Sequence, residues 1–402
     1  MWRTVLKIVF FTFYYRPDLS AGSFRADALT QALSIKLNDD DELHIITTHP
    51  NRYKSHLVKA NNLDVIGNTT IHRIKLPGQK KRGILAQAYS FLFYAYKGYK
   101  LCIELNPKFL IGTSGRLMTG VLTGITAFRL KCRYFIDLRD IFSESISDLL
   151  LNKNRVVSKI FLYFFSFLEK YLLKNASGVN VVSEGFPEYF QEKGIDTSNW
   201  SFFPNGVDKE FIGSLNNKKL NKDGIKTILY AGNIGSGQGL ENILPEAAKQ
   251  LEGSFLFQII GDGNSQDNLI NQITLKDVKN IEIIQPIERI KLIEYYENAD
   301  ILFLHLNDIP ALHRVLPSKI FEYAAFNKPI VAGLSGYSEK FMNENIPYSI
   351  LFKPGDVKGL VKSILKADKL SFKDGDDNNC FVEKYSREYI MRNMAQHVLS
   401  KI

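Results

Sequence analysis

The chain has 402 residues, which is enough for two or three domains at the usual ~150 residues per domain. Its 45% hydrophobic and 23% charged residues are typical of a globular protein and exclude the disordered and fibrous classes. The cysteines Cys102, Cys132 and Cys380 are odd in number and far apart, so neither a disulfide framework nor a metal knuckle is predicted. A reducing cytosol fits this composition best.

The net charge of +9 is concentrated in the first half of the chain. Residues 1–205 hold 27 Lys and Arg against 17 Asp and Glu, whereas residues 206–402 hold 24 against 25. This asymmetry indicates that the first half meets an anionic partner, which could be a phospholipid surface, a phosphorylated substrate or a nucleic acid. Nucleic acid ranks last, because the basic residues are scattered and form no recognisable module.

No segment is predicted to cross a membrane. The apolar run at 8–13 has no small-residue cleavage site after it, so it is predicted to be a first strand and not a signal sequence. The most lipophilic stretch, residues 160–168, is well short of the ~20 residues that a spanning helix needs. It can lie on a bilayer but cannot cross one.

Short β-branched and aromatic runs alternate with helical stretches, which predicts parallel βαβ units. The first half gives strands at residues 6–11, 43–48, 70–75, 109–113, 134–138 and 178–182. The turn-rich segment 202–208 then marks a domain boundary. The second half gives strands at residues 227–231, 256–260, 281–284, 301–304, 330–332 and 349–352. A last helix is predicted after Ser386, which could cap it.

This pattern predicts two doubly wound α/β domains with parallel sheets. We assign residues 1–204 to the first domain, 205–380 to the second, and 381–402 to a C-terminal helix that packs back on the first. Two such domains would face each other across a cleft. Ligands would then bind in the cleft, at the carboxyl ends of the strands.

A glycine-rich turn is predicted between the first strand of the second half and the helix after it. Residues 230–241 read Tyr-Ala-Gly-Asn-Ile-Gly-Ser-Gly-Gln-Gly-Leu-Glu. Glycines let the backbone approach an anion closely, and the start of the following helix favours phosphate. The alternative is that these glycines serve only the conformation of the turn. The spacing is not G-x-G-x-x-G, so a nicotinamide cofactor is disfavoured.

The segment 316–325 is predicted to begin a helix, with Pro317 at its first position. At about 100° per residue, four side chains share a polar arc that is free to face a cleft: Ser318, Lys319, Glu322 and Tyr323. The alternative is a solvated face with an i,i+3 pair between Lys319 and Glu322, worth only about 0.3 kcal/mol.

Arg139 and Asp140 follow the strand predicted at 134–138, where doubly wound folds place reactive groups. They could hydrogen-bond sugar hydroxyls or orient a phosphate; the alternative is a buried ion pair that closes the strand. No metal site is predicted. The Asp-x-Asp sequences at 39–41 and 374–376 lie in acidic turns, and the histidines show no ligand spacing.

Two stretches could contact an anionic surface. Basic residues 80–82 precede the aromatic-rich segment 84–99, and Arg155 with Lys159 precede residues 160–168. Basic residues beside aromatic and aliphatic helices are typical of membrane-surface anchors. The alternative is a crossover helix that is buried against the sheet.

Taken in order, several segments resemble the retaining glycosyltransferase family 4, whose GT-B fold has two Rossmann-like domains. Tyr-Tyr-Arg-Pro at 14–17, with Gly22 and Arg25, is similar to the family's first loop and helix. Pro-Asn-Gly-Val-Asp at 204–208 is similar to its interdomain signature. Gly-Asp-Gly at 261–263, and residues 317–323 followed by Lys-Pro-Ile-Val at 328–331, match in order and spacing. The resemblance covers nearly the whole chain.

Residues 137–140 and the glycine turn resemble the branch that transfers N-acetylated amino sugars, such as N-acetylfucosamine, in O-antigen and capsule assembly. The resemblance implies a UDP-sugar donor in the second domain, with Glu322 on the ribose hydroxyls and the backbone around Pro286 near the base. The implied donor-binding residues are Gly22, Asn233, Gly235, Gln238, Gly239, Gly261, Pro286, Ser318 and Glu322.

The acceptor implied by the resemblance is a polyprenyl-diphosphate-linked saccharide, bound on the first domain. The implied location is cytoplasmic and peripheral, at the inner face of the plasma membrane. The expected partners are therefore the donor, the acceptor and an anionic membrane surface. No cofactor is expected beyond the UDP-sugar co-substrate.

Four residues are predicted to be catalytic: Arg139, Asp140, Arg314 and Lys319. Many relatives have Arg and Lys in the diphosphate loop where this chain has Asn233 and Gln238, and Glu where it has Arg314. We therefore expect Arg314 and Lys319 to neutralise the leaving diphosphate without a metal ion. Retention follows from the resemblance, through a front-face mechanism in which the departing phosphate oxygen takes the acceptor proton. Arg139 and Asp140 would shape the sugar and acceptor site.

Two other function classes remain open. A hydrolysing nucleotide-sugar epimerase on the same architecture would release UDP and an altered sugar without any acceptor. A non-catalytic sugar-nucleotide binding or scaffold protein would bind the donor without turnover.

Overall fold

The computed structural model describes residues 5–18, 20–51, 59–77, 84–114, 117–141, 155–212, 224–370 and 379–402. The chain divides into two compact units. The first unit is Met1–Asn205 together with Glu388–Ile402, and the second is Gly206–Arg387. Residues 381–387 therefore belong to the second unit, and only the residues after them return to the first.

The first unit is built on a sheet of eight strands among the residues that the structure describes. They are β1 (Lys7–Phe11), β2 (Glu42–Thr48), β3 (Leu63–Ile66), β4 (Thr69–Ile74), β5 (Phe109–Thr113), β6 (Arg133–Leu138), β7 (Gly178–Val181) and β8 (Ser201–Phe202). Their order is β3-β4-β2-β1-β5-β6-β7-β8, and every pair is parallel except β3 with β4. The strand order reverses between β1 and β5, which is where a doubly wound sheet opens a crevice.

Helices connect these strands. They are α1 (Ala21–Lys36), α2 (Ile84–Leu105), α3 (Leu117–Leu130), α4 (Arg155–Lys174) and α5 (Phe186–Glu192). The helix α1 begins after Ser20, whose hydroxyl accepts a hydrogen bond from Ser23 N at 3.2 Å. The helix α3 packs between α2 and α4, and their inner faces bury a common core with β1, β5 and β6.

A buried ion pair joins α1 to β6. The guanidinium of Arg25, only 1% exposed, donates to both Asp137 carboxylate oxygens, at 2.7 and 2.8 Å, and to Pro204 O at 2.7 Å. Asn180 Nδ2 also donates to Asp137, at 2.8 Å. Burial alone would raise the pKa of Asp137, but the Arg25 charge and these hydrogen bonds bring it below its usual range. Asp137 therefore forms a buried structural ion pair with Arg25.

The second unit contains a six-stranded parallel sheet. Its strands are β9 (Lys226–Ala231), β10 (Phe255–Ile260), β11 (Ile281–Ile284), β12 (Ile301–His305), β13 (Ile330–Gly333) and β14 (Ser349–Phe352). Their order is β11-β10-β9-β12-β13-β14, so the crevice of this sheet opens between β9 and β12. The prediction of two doubly wound parallel-sheet domains is confirmed.

The described helices of the second unit precede, connect and follow these strands. They are α6 (Lys209–Ile212), α7 (Leu240–Gln250), α8 (Gln266–Leu275), α9 (Arg289–Asn298), α10 (Ser318–Ala324), α11 (Tyr337–Asn345), α12 (Val357–Ala367) and α13 (Asn379–Tyr385). A short 3₁₀ turn, Leu312–Arg314, precedes α10. The carboxylate of Asp208 accepts hydrogen bonds from Arg289 and Arg387, which ties the start of this unit to its end.

The last helix, α14 (Arg387–Leu399), carries the chain back into the first unit. There the His397 ring lies 6.1 Å from the Phe135 ring and 5.8 Å from the Phe203 ring, centroid to centroid. Met394 and Val398 are completely buried. Residues 388–402 are therefore part of the core of the first unit.

All twelve strands predicted from the sequence are present, each within one residue at either end. The prediction missed β3 and β8. None of the helices in the described part of the chain has the length and apolarity needed to traverse a bilayer.

Candidate active site

The glycine-rich turn connects β9 to α7, and its backbone is closely packed. Gly239 caps α7 with a φ of 58°, a conformation that favours glycine, and a Cβ there would overlap Asn307 Oδ1. Gly261, which follows β10, has a φ of 153°, and a Cβ on it would overlap Gly232 O. Because Gly261 has no side chain, the loop after β10 can pack directly against the backbone of the turn. This close packing accounts for a glycine at position 261.

Side-chain amides cover the inner backbone donors of the turn. Gly235 N donates to Gln238 Oε1 at 3.3 Å, and Ser236 N donates to Asn264 Oδ1 at 3.2 Å. Asn233 Nδ2 donates to the same Gln238 oxygen at 3.0 Å. Rotation of these surface amides would free two adjacent N–H groups beside the first turn of α7, where the first residues have no helical carbonyl four positions earlier to bond. The turn can therefore accept a phosphate oxygen in place of the amide oxygens.

His305 holds the outer side of the turn. It ends β12 with no exposed surface, its Nδ1 lies 2.6 Å from Gln238 O, and Gly355 N donates to its Nε2 at 3.0 Å. Since Nε2 accepts, the proton is assigned to Nδ1, which donates to Gln238 O. Burial lowers the pKa of His305, and the Gln238 hydrogen bond offsets part of that effect. A neutral His305 therefore fixes the end of the turn.

Asn307 adds a second attachment from the loop after β12. Asn307 N donates to Gly237 O at 2.8 Å, and Asn307 Nδ2 donates to Ser236 O. Sequence reasoning missed both Asn307 and His305. The sequence offers one signal, a histidine at the end of a buried strand, but the spacing of the histidines indicates no ligand site.

Three polar side chains form a cluster where α10 meets α9. Lys319 Nζ donates to Glu322 Oε2 at 2.6 Å and to Tyr296 OH at 3.0 Å, and Tyr296 OH donates to the same Glu322 oxygen at 3.0 Å. Burial raises the pKa of Tyr296, and the Glu322 charge raises it further, so the hydroxyl stays protonated. The i,i+3 pair is thus present, but it is mostly buried and not solvated.

The prediction that the polar arc of α10 faces an open cleft is wrong for Tyr323. This residue is fully buried, and its hydroxyl accepts a hydrogen bond from Ala231 N at 3.0 Å. The helical-arc argument assumes one solvated side, whereas five of the seven residues of α10 are buried. Tyr323 instead ties α10 to the end of β9, beside the glycine turn.

The other residues predicted in this unit lie on neighbouring loops. Arg314 belongs to the 3₁₀ turn, where its Nη1 donates to Pro310 O at 3.2 Å. This turn borders the glycine turn, because a Cβ on Gly237 would lie 3.7 Å from Leu312 Cδ1. Pro286 follows β11, and Ser318 is the first residue of α10. All of these loops lie at the carboxyl edge of the sheet.

The remaining predicted residues line an open pocket of about 210 Å³ in the first unit, at the carboxyl ends of β1, β5 and β6. Gly22, Arg139 and Asp140 all line it. A Cβ on Gly22 would overlap Arg139 Nη1, so the glycine makes room for the guanidinium. Thr113 and Thr119 contribute buried hydroxyls without hydrogen-bond partners among the described residues. The pocket therefore offers donors to a polar ligand.

Asp140 differs from its neighbour Asp137. Asp140 lines the pocket and is exposed as a residue, although the chain surrounds its carboxyl group. Desolvation by the surrounding chain raises the pKa of Asp140 to about 6, and the Arg139 charge opposes that rise. Asp140 is therefore protonated at a higher pH than Asp137.

The structure thus brings the predicted residues together in two groups, one in each unit, and their roles stay predictions. Among the described residues, no group of three or more His, Cys, Asp and Glu side chains has the arrangement of a metal site.

The second unit is similar to known proteins. The family model described as "Glycosyl transferases group 1" matches residues 213–377. The putative colanic acid biosynthesis glycosyl transferase WcaI of Escherichia coli (strain K12) is 27% identical over 205 residues, which are 48% of this chain and 50% of that protein. The match thus spans about half the length of this curated relative.

Solved structures extend the similarity to nearly the whole chain. Sucrose-phosphate synthase from Thermosynechococcus elongatus matches with a TM-score of 0.72 at 14% identity, over 97% of this chain and 98% of that one. Anabaena Alr3699/HepE, solved in complex with UDP and glucose, matches with a TM-score of 0.67 at 15% identity, over 98% and 100%. The chain therefore has the GT-B glycosyltransferase fold, and its residues 213–377 match the glycosyl transferases group 1 family.

Proposed function

We propose that this protein is a retaining family 4 glycosyltransferase that moves an N-acetylated amino sugar from a UDP-sugar to a polyprenyl-diphosphate-linked saccharide. The observation that carries the proposal is the glycine turn inside the group 1 domain. His305 and Asn307 brace its outer side, and only exchangeable amide oxygens cover its inner N–H groups. Such a site suits the diphosphate of a nucleotide sugar.

Two comparisons support the donor and the acceptor class. HepE was solved with UDP and glucose, which supports a uridine nucleotide as the donor carrier. The name of WcaI refers to colanic acid biosynthesis, which supports a role in surface polysaccharide assembly. The positive charge of the first half fits an acceptor that carries a diphosphate, and fits a cytosolic enzyme at an anionic membrane surface.

In this proposal, the turn and two cations drive the departure of the nucleotide. The donor diphosphate replaces the Gln238 and Asn264 oxygens on the turn, and Arg314 and Lys319 neutralise its growing charge. The leaving phosphate oxygen takes the proton of the acceptor hydroxyl on the same face, so the reaction needs neither an enzymic base nor a metal ion. Glu322 binds the ribose hydroxyls, while Arg139 and Asp140 position the sugar and the acceptor.

Replacing His305 with Ala is expected to weaken UDP binding about tenfold, because Gln238 O and Gly355 N lose their shared partner and the turn loosens. Isothermal titration with UDP measures the effect. His49→Ala, in the first unit, is the control and should bind UDP like the wild type. Equal affinity of the two variants would remove His305 from the support of the turn.

Asp140→Asn is expected to lower kcat roughly 10- to 100-fold while UDP binding is retained, because a neutral amide cannot replace a charged hydrogen-bond acceptor. Wild-type activity should also fall as the pH drops through about 6, where Asp140 gains a proton. The pH profile of the Asn variant should lack this decline. Full activity of Asp140→Asn would instead assign the residue to structure.

The function itself is tested by a panel of nucleotide sugars. Thermal-shift measurements should select a UDP-sugar, and transfer to a polyprenyl-diphosphate-linked saccharide should then proceed in EDTA with retention of configuration. Release of UDP and an altered sugar without acceptor would indicate an epimerase. Donor binding without turnover across an acceptor panel would indicate a binding protein.

A further inference from the structure

The helix α4 is apolar on two opposite faces. Its inner face contributes Leu172 and Leu173 to the core of the first unit. Its outer face carries large side chains that are 42–79% exposed: Ile160, Tyr163, Phe164, Phe167 and Tyr171. The spacing i, i+3, i+4, i+7 and i+11 places these side chains on one stripe, about 17 Å long at the helical rise. The core accounts for one apolar face of α4 and leaves the other in contact with solvent.

The neighbouring helix α3 widens this stripe. Phe128 of α3 is 77% exposed. An apolar groove of about 210 Å³ runs between the two helices, and Ile125 and Phe167 line it. The helices approach closely because a Cβ on Gly124 of α3 would already lie 3.1 Å from Leu172 Cδ1. We call Phe128, Ile160, Tyr163, Phe164, Phe167 and Tyr171 the docking face.

Exposed basic residues lie on the two helices that carry the docking face. Arg129, Lys159, Lys170 and Lys174 are exposed on the same two helices. The only acidic residue of α3 and α4, Glu169, is buried. Amphipathic helices with basic borders and aromatic faces bind the interface of anionic bilayers, where the rings enter the headgroup region and the cations meet lipid phosphates.

A second copy of this chain is a poorer occupant. A two-fold interface would bring the same surface against itself, and the cations around one docking face would then meet those around the other. An anionic lipid surface supplies the opposite charge and accepts the exposed rings.

We propose that the docking face inserts into the headgroup region of an anionic phospholipid bilayer and seats the first unit on it. This inference rests on the proposed function, which includes an anionic membrane surface as a partner, and it names the surface of the protein that contacts the membrane.

Sedimentation with vesicles tests the surface. The wild type should bind vesicles of about 3:1 phosphatidylcholine and phosphatidylglycerol at low salt, and much less to phosphatidylcholine alone. Phe128→Ser combined with Tyr163→Ser should weaken the binding at least tenfold, since the two most exposed rings are lost. Ile35→Ser combined with Leu275→Ser, which removes exposed apolar side chains elsewhere, is the matched control and should bind normally. Unchanged binding of the Phe128 and Tyr163 variant would overturn the proposal.

The electrostatic part has its own pair of variants. Lys159→Gln with Lys174→Gln should weaken binding to the anionic vesicles more than tenfold, whereas Lys358→Gln with Lys362→Gln in α12 should not. If both double variants lose the same amount of vesicle binding, the effect depends only on net charge, and a specific docking face would be contradicted.

Insertion can be observed directly with Tyr163→Trp. Its fluorescence should shift to the blue and be quenched by brominated lipid chains in the anionic vesicles, whereas Ile35→Trp should show neither change.

Light scattering tests the alternative that the docking face mediates self-association. A wild-type dimer that does not bind vesicles, and that becomes a monomer in the Phe128→Ser and Tyr163→Ser variant, would support this alternative and overturn the proposal. Transfer to a detergent-solubilised acceptor separates the two proposals. Vesicle binding without sugar transfer would contradict the proposed glycosyltransferase function but not the docking face. Sugar transfer without vesicle binding would contradict the docking face but not the proposed function.

Discussion

Replacing Arg25 with Met is expected to lower the free energy of unfolding of the first unit by about 3–5 kcal/mol, because it leaves the Asp137 carboxylate buried without its counter-charge. The substitution also removes the donors to Phe203 O and Pro204 O. Chemical denaturation monitored by circular dichroism measures the loss. Arg392→Met is the matched control: Arg392 forms an exposed i,i+4 pair with Glu388, and its loss should cost less than about 1 kcal/mol.

The destabilisation by Arg25→Met should depend on pH in a defined direction. The pKa of Asp137 is lowered in the folded protein, so the ion pair stabilises the fold fully above the unfolded value of about 3.9. This stabilisation is lost as the pH falls through the lower folded value. The difference between wild type and variant should therefore be largest at neutral pH and above. It should shrink as the pH falls, first when the Asp137 carboxyl of the variant, whose pKa burial raises without Arg25, takes up a proton, and then when the wild-type ion pair is lost. A difference that does not change with pH would contradict the assignment to Asp137.

Lys319→Ala is expected to reduce kcat about 10²-fold, the usual loss when one group that stabilises transition-state charge is removed. The Lys319 ammonium donates to Glu322 and Tyr296, and the proposal assigns Glu322 to the donor ribose. Steady-state kinetics with a UDP-sugar at saturating acceptor measure the effect. Lys319→Arg keeps the charge and should recover part of the lost rate.

Stability distinguishes this role from a purely structural one. Lys319→Ala should lower the melting temperature only modestly, because Tyr296 OH still donates a hydrogen bond to Glu322 when the lysine is gone. Lys340→Ala, which removes a lysine from an exposed i,i+4 pair in α11, is the control and should keep full activity. Wild-type kinetics in Lys319→Ala would show that the cluster serves only to hold α10 against α9.

The central strands of both sheets were predictable because they are short, apolar and buried on both faces. The strands β5 and β12, for example, are buried at every position, which is the pattern of a central parallel strand. The edge strand β3 could not be recognised, since Leu63, Val65 and Ile66 are all more than half exposed and no face is buried. The strand β8 has two residues and depends on pairing with β7.

The candidate site was predictable where a residue type is required by the local backbone conformation. The position of the glycine turn follows from its glycines and the strand before it. His305 was not predictable, because its role depends on a contact between the end of β12 and Gln238, 67 residues earlier in the chain. Tyr323 was misplaced for a related reason. Only the packed neighbours of α10 show that its polar side is enclosed.

The discontinuous make-up of the first unit has a consequence for biosynthesis. The ribosome completes residues 1–205 long before residues 388–402 emerge, yet Met394 and Val398 have no exposed surface in the finished unit. Until that stretch arrives, Phe135 and Phe203 lack the ring of His397 beside them. The first unit therefore cannot finish folding until residues 388–402 have been synthesised. During translation of the second unit, the apolar surface that later packs against Met394, His397 and Val398 is left uncovered, and chaperones could bind it.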